Sequence, residues 1–215
     1  MTHLNLWKKR LGCVPDSVWN ETDLTALVLA DNDLTEVSDQ IGRLKRLHML
    51  DLGHNALTTV PDTLGDIEDL SDFLYLHDNR LTSLPASLAR LLGLRYLNIS
   101  DNQFEMLPDC VCRMTSLMEL RASGNRLAGL PDEIAGLRRL RELHLRDNRL
   151  TSLPDSIGAL SELRQLDLRG NPLTSLPESL AALSRLDKLD LRWVTTLPEP
   201  AWFVRLEERG CVIYR

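Results

Sequence analysis

The stretch Leu143-His144-Leu145-Arg146-Asp147-Asn148-Arg149-Leu150-Thr151-Ser152-Leu153-Pro154 carries two different apolar spacings on either side of one asparagine. Before Asn148 the leucines alternate, the period of a strand with one buried face; after it they spread to three and four, the spacing of a helical segment with one apolar stripe. The block recurs along the whole chain. Asn32, Asn55, Asn79, Asn102, Asn125, Asn148 and Asn171 stand 23 residues apart with a single step of 24, and each is followed two residues later by Leu or Phe.

Aligned on these asparagines, apolar residues fall five and three before, then two, five, nine, twelve and fifteen after, with proline usually six after. Self-similarity at such a period, in the pattern Leu-x-x-Leu-x-Leu-x-x-Asn, resembles the leucine-rich repeat family. The Leu-Pro after each turn resembles its 23-residue intracellular and bacterial class. The expected fold is an α/β repeat solenoid: a curved array of about nine repeats, with parallel strands on the concave face and short helical or 3₁₀ segments on the convex side. We read residues 1–215 as a single domain, with a capping repeat over 1–24, regular repeats over 25–186, and a degenerate last repeat and C-terminal cap over 187–215.

The asparagines have a structural reading. A tight turn leaves backbone N–H and C=O groups facing the interior, where unpaired groups are expensive, and an amide both donates and accepts. A stacked ladder of Asn side chains meets that need. Extending the register outward reaches Lys9 and Val194, which cannot replace the amide and so mark atypical end repeats. Three irregularities stand out. One extra residue within Ser71-Asp72-Phe73 predicts a bulge where that strand begins; Ser38 in place of proline predicts a looser second convex segment. After Pro200 the period breaks, and Ala201 to Arg209 reads as a helix closed by Gly210 before the apolar run Cys211-Val212-Ile213-Tyr214, together a lid on the last repeat.

Composition narrows the function. A hydrophobic fraction of 43% supports one elongated core, and a net charge of −6 argues against general nucleic-acid binding. No apolar run is long enough for a membrane span and the N-terminus lacks the apolar stretch of a signal peptide, so a cytoplasmic location and no membrane partner are expected. The four cysteines, Cys13, Cys110, Cys112 and Cys211, are scattered and read as reduced structural or incidental thiols, with Cys112 at an ordinarily solvent-facing position.

Only the residues six, four and two before each asparagine alternate outward from the buried leucines, so function is confined to those columns. Two zones emerge. Met49, Phe73, Tyr75 and Tyr96 lie on three adjacent strands beside His77, an aromatic concentration that suits an interface anchor; the bland reading has Phe73 turned inward and the tyrosines merely covering the sheet. In the second zone Arg146, Arg169 and Arg192 stack in one column beside Arg121 and His144. With Lys188, and with Arg126 and Arg149 just beyond the turns, seven Arg or Lys face Glu119, Glu142, Asp167 and Asp190. Such a row suits carboxylates or phosphates on a partner, or else forms a solvated Asp-Arg ladder with diagonal pairs.

Catalytic signals are thin. His54, His77, Asp78 and Asp101 lie on neighbouring strands near the turns in a pattern that a metal could use, but Asp before Asn also recurs at Asp31 and Asp147 as turn chemistry. No metal, cofactor or catalytic residue is expected. The sequence therefore predicts a non-catalytic protein–protein interaction module or scaffold, gripping a partner with an acidic surface on its concave face. Resemblance to intracellular repeat scaffolds makes small GTPases or kinases candidate partners. Two rivals stand beside it: the targeting domain of a larger signalling enzyme, a kinase or a bacterial effector ligase, and a designed or consensus-like scaffold without a natural ligand.

Overall fold

The structure is a computed structural model and describes residues 2–215. Ten strands among the described residues form one open parallel sheet in strict chain order: β1 (Thr2–Asn5), β2 (Leu24–Val28), β3 (Met49–Asp51), β4 (Phe73–Tyr75), β5 (Tyr96–Asn98), β6 (Glu119–Arg121), β7 (Glu142–His144), β8 (Gln165–Asp167), β9 (Lys188–Asp190) and β10 (Val212–Tyr214). Each returns to the sheet through a convex segment, the curved repeat solenoid that the period demands.

Strand register follows the leucines. Leu27, Leu50, Leu74, Leu97, Leu120, Leu143, Leu166 and Leu189 occupy successive rungs of the ladder and are all buried. Burying one such side chain contributes about 2 kcal/mol, and because every repeat stacks the same face on its neighbour, the core is continuous from end to end.

Seven convex segments are five-residue 3₁₀ turns, for example Asp155–Ala159, and the eighth is a short helix α1 (Asp109–Cys112). The prolines sit one position before these turns, extended at φ −60 to −73°. From there the proline carbonyl accepts the first 3₁₀ bond, as in Ile157 N to Pro154 O at 3.1 Å. Ser38 corrects one expectation: it adopts the proline conformation (φ −63°, ψ 144°) and its hydroxyl accepts from Gln40 N at 3.2 Å. The second segment is capped, not loosened. Gly65 allows close stacking on the convex side, where a Cβ would collide with the Ser87 carbonyl.

The asparagine ladder is present in full. Asn102 donates to the carbonyls of Leu76, Ile99 and Ser100 at 3.0, 3.2 and 3.1 Å and accepts from Leu81 N at 2.9 Å, tying its own turn to the repeat before it. Asn32 reaches back the same way, to Leu6 O at 2.9 Å and from Lys9 N at 2.9 Å, so the first repeat is served although it has no amide of its own. The residue before each asparagine takes a positive φ, between 51° and 58° at Asp31, His54, Asp78, Asp101 and Asp147, which confirms the turn role of those aspartates.

The extra residue near Ser71 makes no bulge in the strand. β3, β4 and β5 pair residue for residue from Phe73 onward, and the insertion is absorbed in the preceding bend, where Arg95 N donates to Ser71 O at 3.0 Å. At the C-terminus, α2 (Phe203–Glu207) is shorter than expected. The apolar run after Gly210 becomes β10, which pairs in parallel with β9 and adds a tenth strand. Trp202, Phe203, Leu206 and Cys211 are buried and seal the last repeat. Cys112, expected at a solvent-facing position, is also buried; Gly42, Gly65 and Ala181 hold the same register position in 3₁₀ turns and are buried there too, Gly42 and Gly65 against the next convex segment. No helix is long and apolar enough to cross a membrane among the described residues.

Candidate functional site

The outward columns converge on one strip across β3 to β6. The Tyr75 and Tyr96 rings lie 5.0 Å apart, Phe73 is 5.5 Å from Tyr96 and stacks on Tyr75 at 5.9 Å, and Arg121 sits over Tyr96 at 5.9 Å. Phe73 is 42% exposed, so it does not turn inward; Met49 pairs with it on β3 and is half-buried. Rings at these separations attract one another beyond the area they bury, which holds the strip together in the absence of a ligand. Burial, aided by the neighbouring Asp51 and Glu119 charges, raises the Tyr75 pKa; burial pushes Tyr96 up to about 12 despite the nearby Arg121. Both phenols stay neutral and can donate a hydrogen bond.

Toward the N-terminus the strip continues through His77, 6.0 Å from Tyr75, to His54, whose ring meets His77 edge-on at 4.6 Å. Gly53 lies directly under His77, where a Cβ would collide with the ring, so glycine is what lets the imidazole lie flat on the sheet. His54 Nδ1 contacts Asp78 Oδ2 at 2.6 Å. Asp101, grouped with these residues by sequence, is turned away against Gly124 of the next turn.

The arginine zone forms an Asp-Arg ladder whose pairing and burial differ from those expected. Arg169 grips Asp167 on its own strand, Nε to Oδ1 at 2.8 Å and Nη2 to Oδ2 at 2.5 Å, and Arg192 does the same with Asp190 at 2.9 and 2.8 Å. Pairing therefore runs within a strand and not diagonally, with Arg169 to Asp190 only a longer contact of 3.6 Å. Nor is the ladder solvated on its acidic side: Asp167 and Asp190 are buried. Arg146 pairs with Asp147 at 2.9 Å, Arg121 with Glu119 at 2.6 Å, and His144 with Glu142 at 3.2 Å. Arg121, His144, Arg146, Arg169 and Arg192 each have a carboxylate partner, whereas Arg126 and Arg149 beyond the turns form no ion pair among the described residues.

Two residues outside the outward columns join this end. Trp193, 65% exposed in the turn before Val194, lies under Arg169 and Arg192 at 5.8 and 5.9 Å. Tyr214 on β10 lies opposite Asp190 and under Arg192 at 5.3 Å. Their sequence signal was the broken period itself, which hid a strand continuing the columns by one rung.

The leucine rich repeat family profile matches residues 22–74, 72–127 and 138–193. The human volume-regulated anion channel subunit LRRC8A is 35% identical over 98 residues, which is 45% of this chain and 12% of that one, so the match spans a small part of that protein. In structure, the leucine-rich repeat domain of the type III effector XopL aligns with 99% of this chain and 75% of that one, at a TM-score of 0.81 and 24% identity, a likeness of fold alone. The plant peptide hormone receptor RGFR1 in complex with RGF2 aligns with 80% of this chain and 29% of that one, at a TM-score of 0.71 and 30% identity. Ladder, register and family match agree, and the chain is a member of the leucine-rich repeat family.

Proposed function

We propose that the protein is a non-catalytic recognition module that holds a partner protein on its concave sheet face, with Phe73, Tyr75 and Tyr96 as the anchors. The carrying observation is the exposed, mutually stacked aromatic strip, which no folding requirement demands at outward positions where polar residues would serve. The side chains are displayed on a rigid sheet, so little conformational entropy is lost on binding. The arginines contribute differently from a simple acidic-surface docking site: with their carboxylates in place they present planar, hydrogen-bonded edges that set register at the rim. The peptide-bound receptor of similar fold supports a polypeptide as the ligand class.

Affinity capture from the source cell tests this, comparing the wild-type chain with a Phe73→Ala, Tyr75→Ala, Tyr96→Ala variant and with a control changed only on the convex side at Arg138 and Arg139. The expected result is a set of proteins retained by wild type and control and lost by the aromatic variant. If all three capture the same proteins, the sheet face is not the binding surface.

A further inference from the structure

We propose that His54 and His77 form a two-histidine site for a divalent transition-metal ion of the zinc type, with Asp78 orienting His54. The ring nitrogens His54 Nε2 and His77 Nε2 approach to 3.2 Å, near the spacing of about 3.4 Å that two imidazoles on one tetrahedral zinc would have at the usual Zn–N distance.

Hydrogen-bond logic fixes where the lone pairs are. The Asp78 carboxylate is an acceptor, so His54 Nδ1 carries the proton and its Nε2 presents a lone pair toward His77. A carboxylate on the far nitrogen of a histidine is the arrangement that orients metal-binding imidazoles and raises their basicity. In the unliganded protein His77 therefore donates from Nε2 to that lone pair of His54, and its buried Nδ1 is left as an acceptor without a partner. Binding an ion shifts the His77 proton from Nε2 to Nδ1 by exchange through solvent and leaves the His54 proton in place; two metal–nitrogen bonds replace the Nε2–Nε2 hydrogen bond and must offset a buried Nδ1–H without an acceptor.

The surroundings favour a cation. His54 lines an open cavity of about 470 Å³ whose rim also carries Asp31, Asp33, Asp78 and Arg80, three carboxylates against one guanidinium, and Lys8 reaches Asp31 only at 3.6 Å. The cavity opens on the His54 side, His77 not lining it, and there water or a donor from a bound partner completes the coordination. A competing cluster, Glu119, Glu142 and His144, brings its ligand atoms within 4.8 Å, but Arg121 already occupies Glu119.

Calorimetric titration of the untagged chain with zinc chloride, together with ¹H–¹³C spectra of the histidine rings, tests the proposal. The expected result is one saturable site, with the His54 and His77 resonances shifting together. His54→Ala and His77→Ala should each weaken binding at least tenfold, and Asp78→Asn about tenfold, while His144→Ala has no effect. His54 is exposed and sits at φ 51°, a backbone that Asn tolerates, so His54→Asn leaves the fold intact and keeps the test valid even if an alanine variant disturbs the turn or the sheet. Absence of saturable binding, or binding lost in His144→Ala and retained in His54→Ala, would overturn the assignment.

Discussion

Asp190 holds Arg192 with both carboxylate oxygens, Oδ1 to Nε at 2.9 Å and Oδ2 to Nη2 at 2.8 Å, from a fully buried position one strand from the end of the original period. Burial alone would raise the Asp190 pKa; the hydrogen bonds from the Arg192 side chain and backbone, with the charges of Arg169 and Arg192, outweigh it and the net shift is downward from 3.8.

A pH dependence follows from that sign. A carboxyl whose folded-state pKa is depressed contributes stability that is fully present above its unfolded value and lost as pH falls through the folded value. Hydrogen exchange should therefore show the amides of β8 to β10 losing protection below about pH 4, ahead of β3 to β5. Asp190→Asn should produce the same local loss at pH 7 and flatten the acid dependence; uniform loss along the array would show that Asp190 does not govern that end.

The asparagine ladder predicts a larger effect in mid-array. Asn102→Ala removes one acceptor and three donations at a buried site, and with each stranded buried group costing about 1–3 kcal/mol, partly recovered by relaxation, the variant should lose about 3 kcal/mol. Urea denaturation measures it. A loss under about 1 kcal/mol would mean that water replaces the amide.

The thiols separate cleanly. Burial pushes the pKa of Cys110 and Cys211 up to about 11 and of Cys112 up to about 12, whereas Cys13 is exposed. Because the thiolate is the reactive form, a disulfide-exchange reagent at pH 8 should modify Cys13 rapidly in the native protein and the other three only on unfolding. Rapid native labelling of Cys112 would contradict its placement in the core.

Much of this molecule was legible in one dimension, and the reason is that a solenoid repeats the same burial decision. Leu97 and Leu143 must be inside because each is the middle of a three-residue strand whose other face meets solvent, and Asn102 must cap its turn because no other group nearby both donates and accepts. The outward columns were legible for the same reason, by subtraction. The burial of Cys112 was not legible because the period gives the apolar stripe of a convex segment but not how closely neighbouring segments stack on the residue beside it, as they do at Gly42 and Gly65.

By itself, then, the sequence determined the repeat, the strand register, the amide ladder and the set of residues free to face a partner, all of which depend on spacing along the chain. Only the tertiary structure decided what those free residues do with one another. Whether Arg169 offers its guanidinium or spends it on Asp167, whether Phe73 stacks on Tyr75 or folds under, and whether His54 and His77 meet nitrogen to nitrogen are settled by side-chain rotamers, within one repeat for the first two pairs and, for the histidines, between repeats 23 residues apart in sequence but about 4.8 Å apart in the sheet.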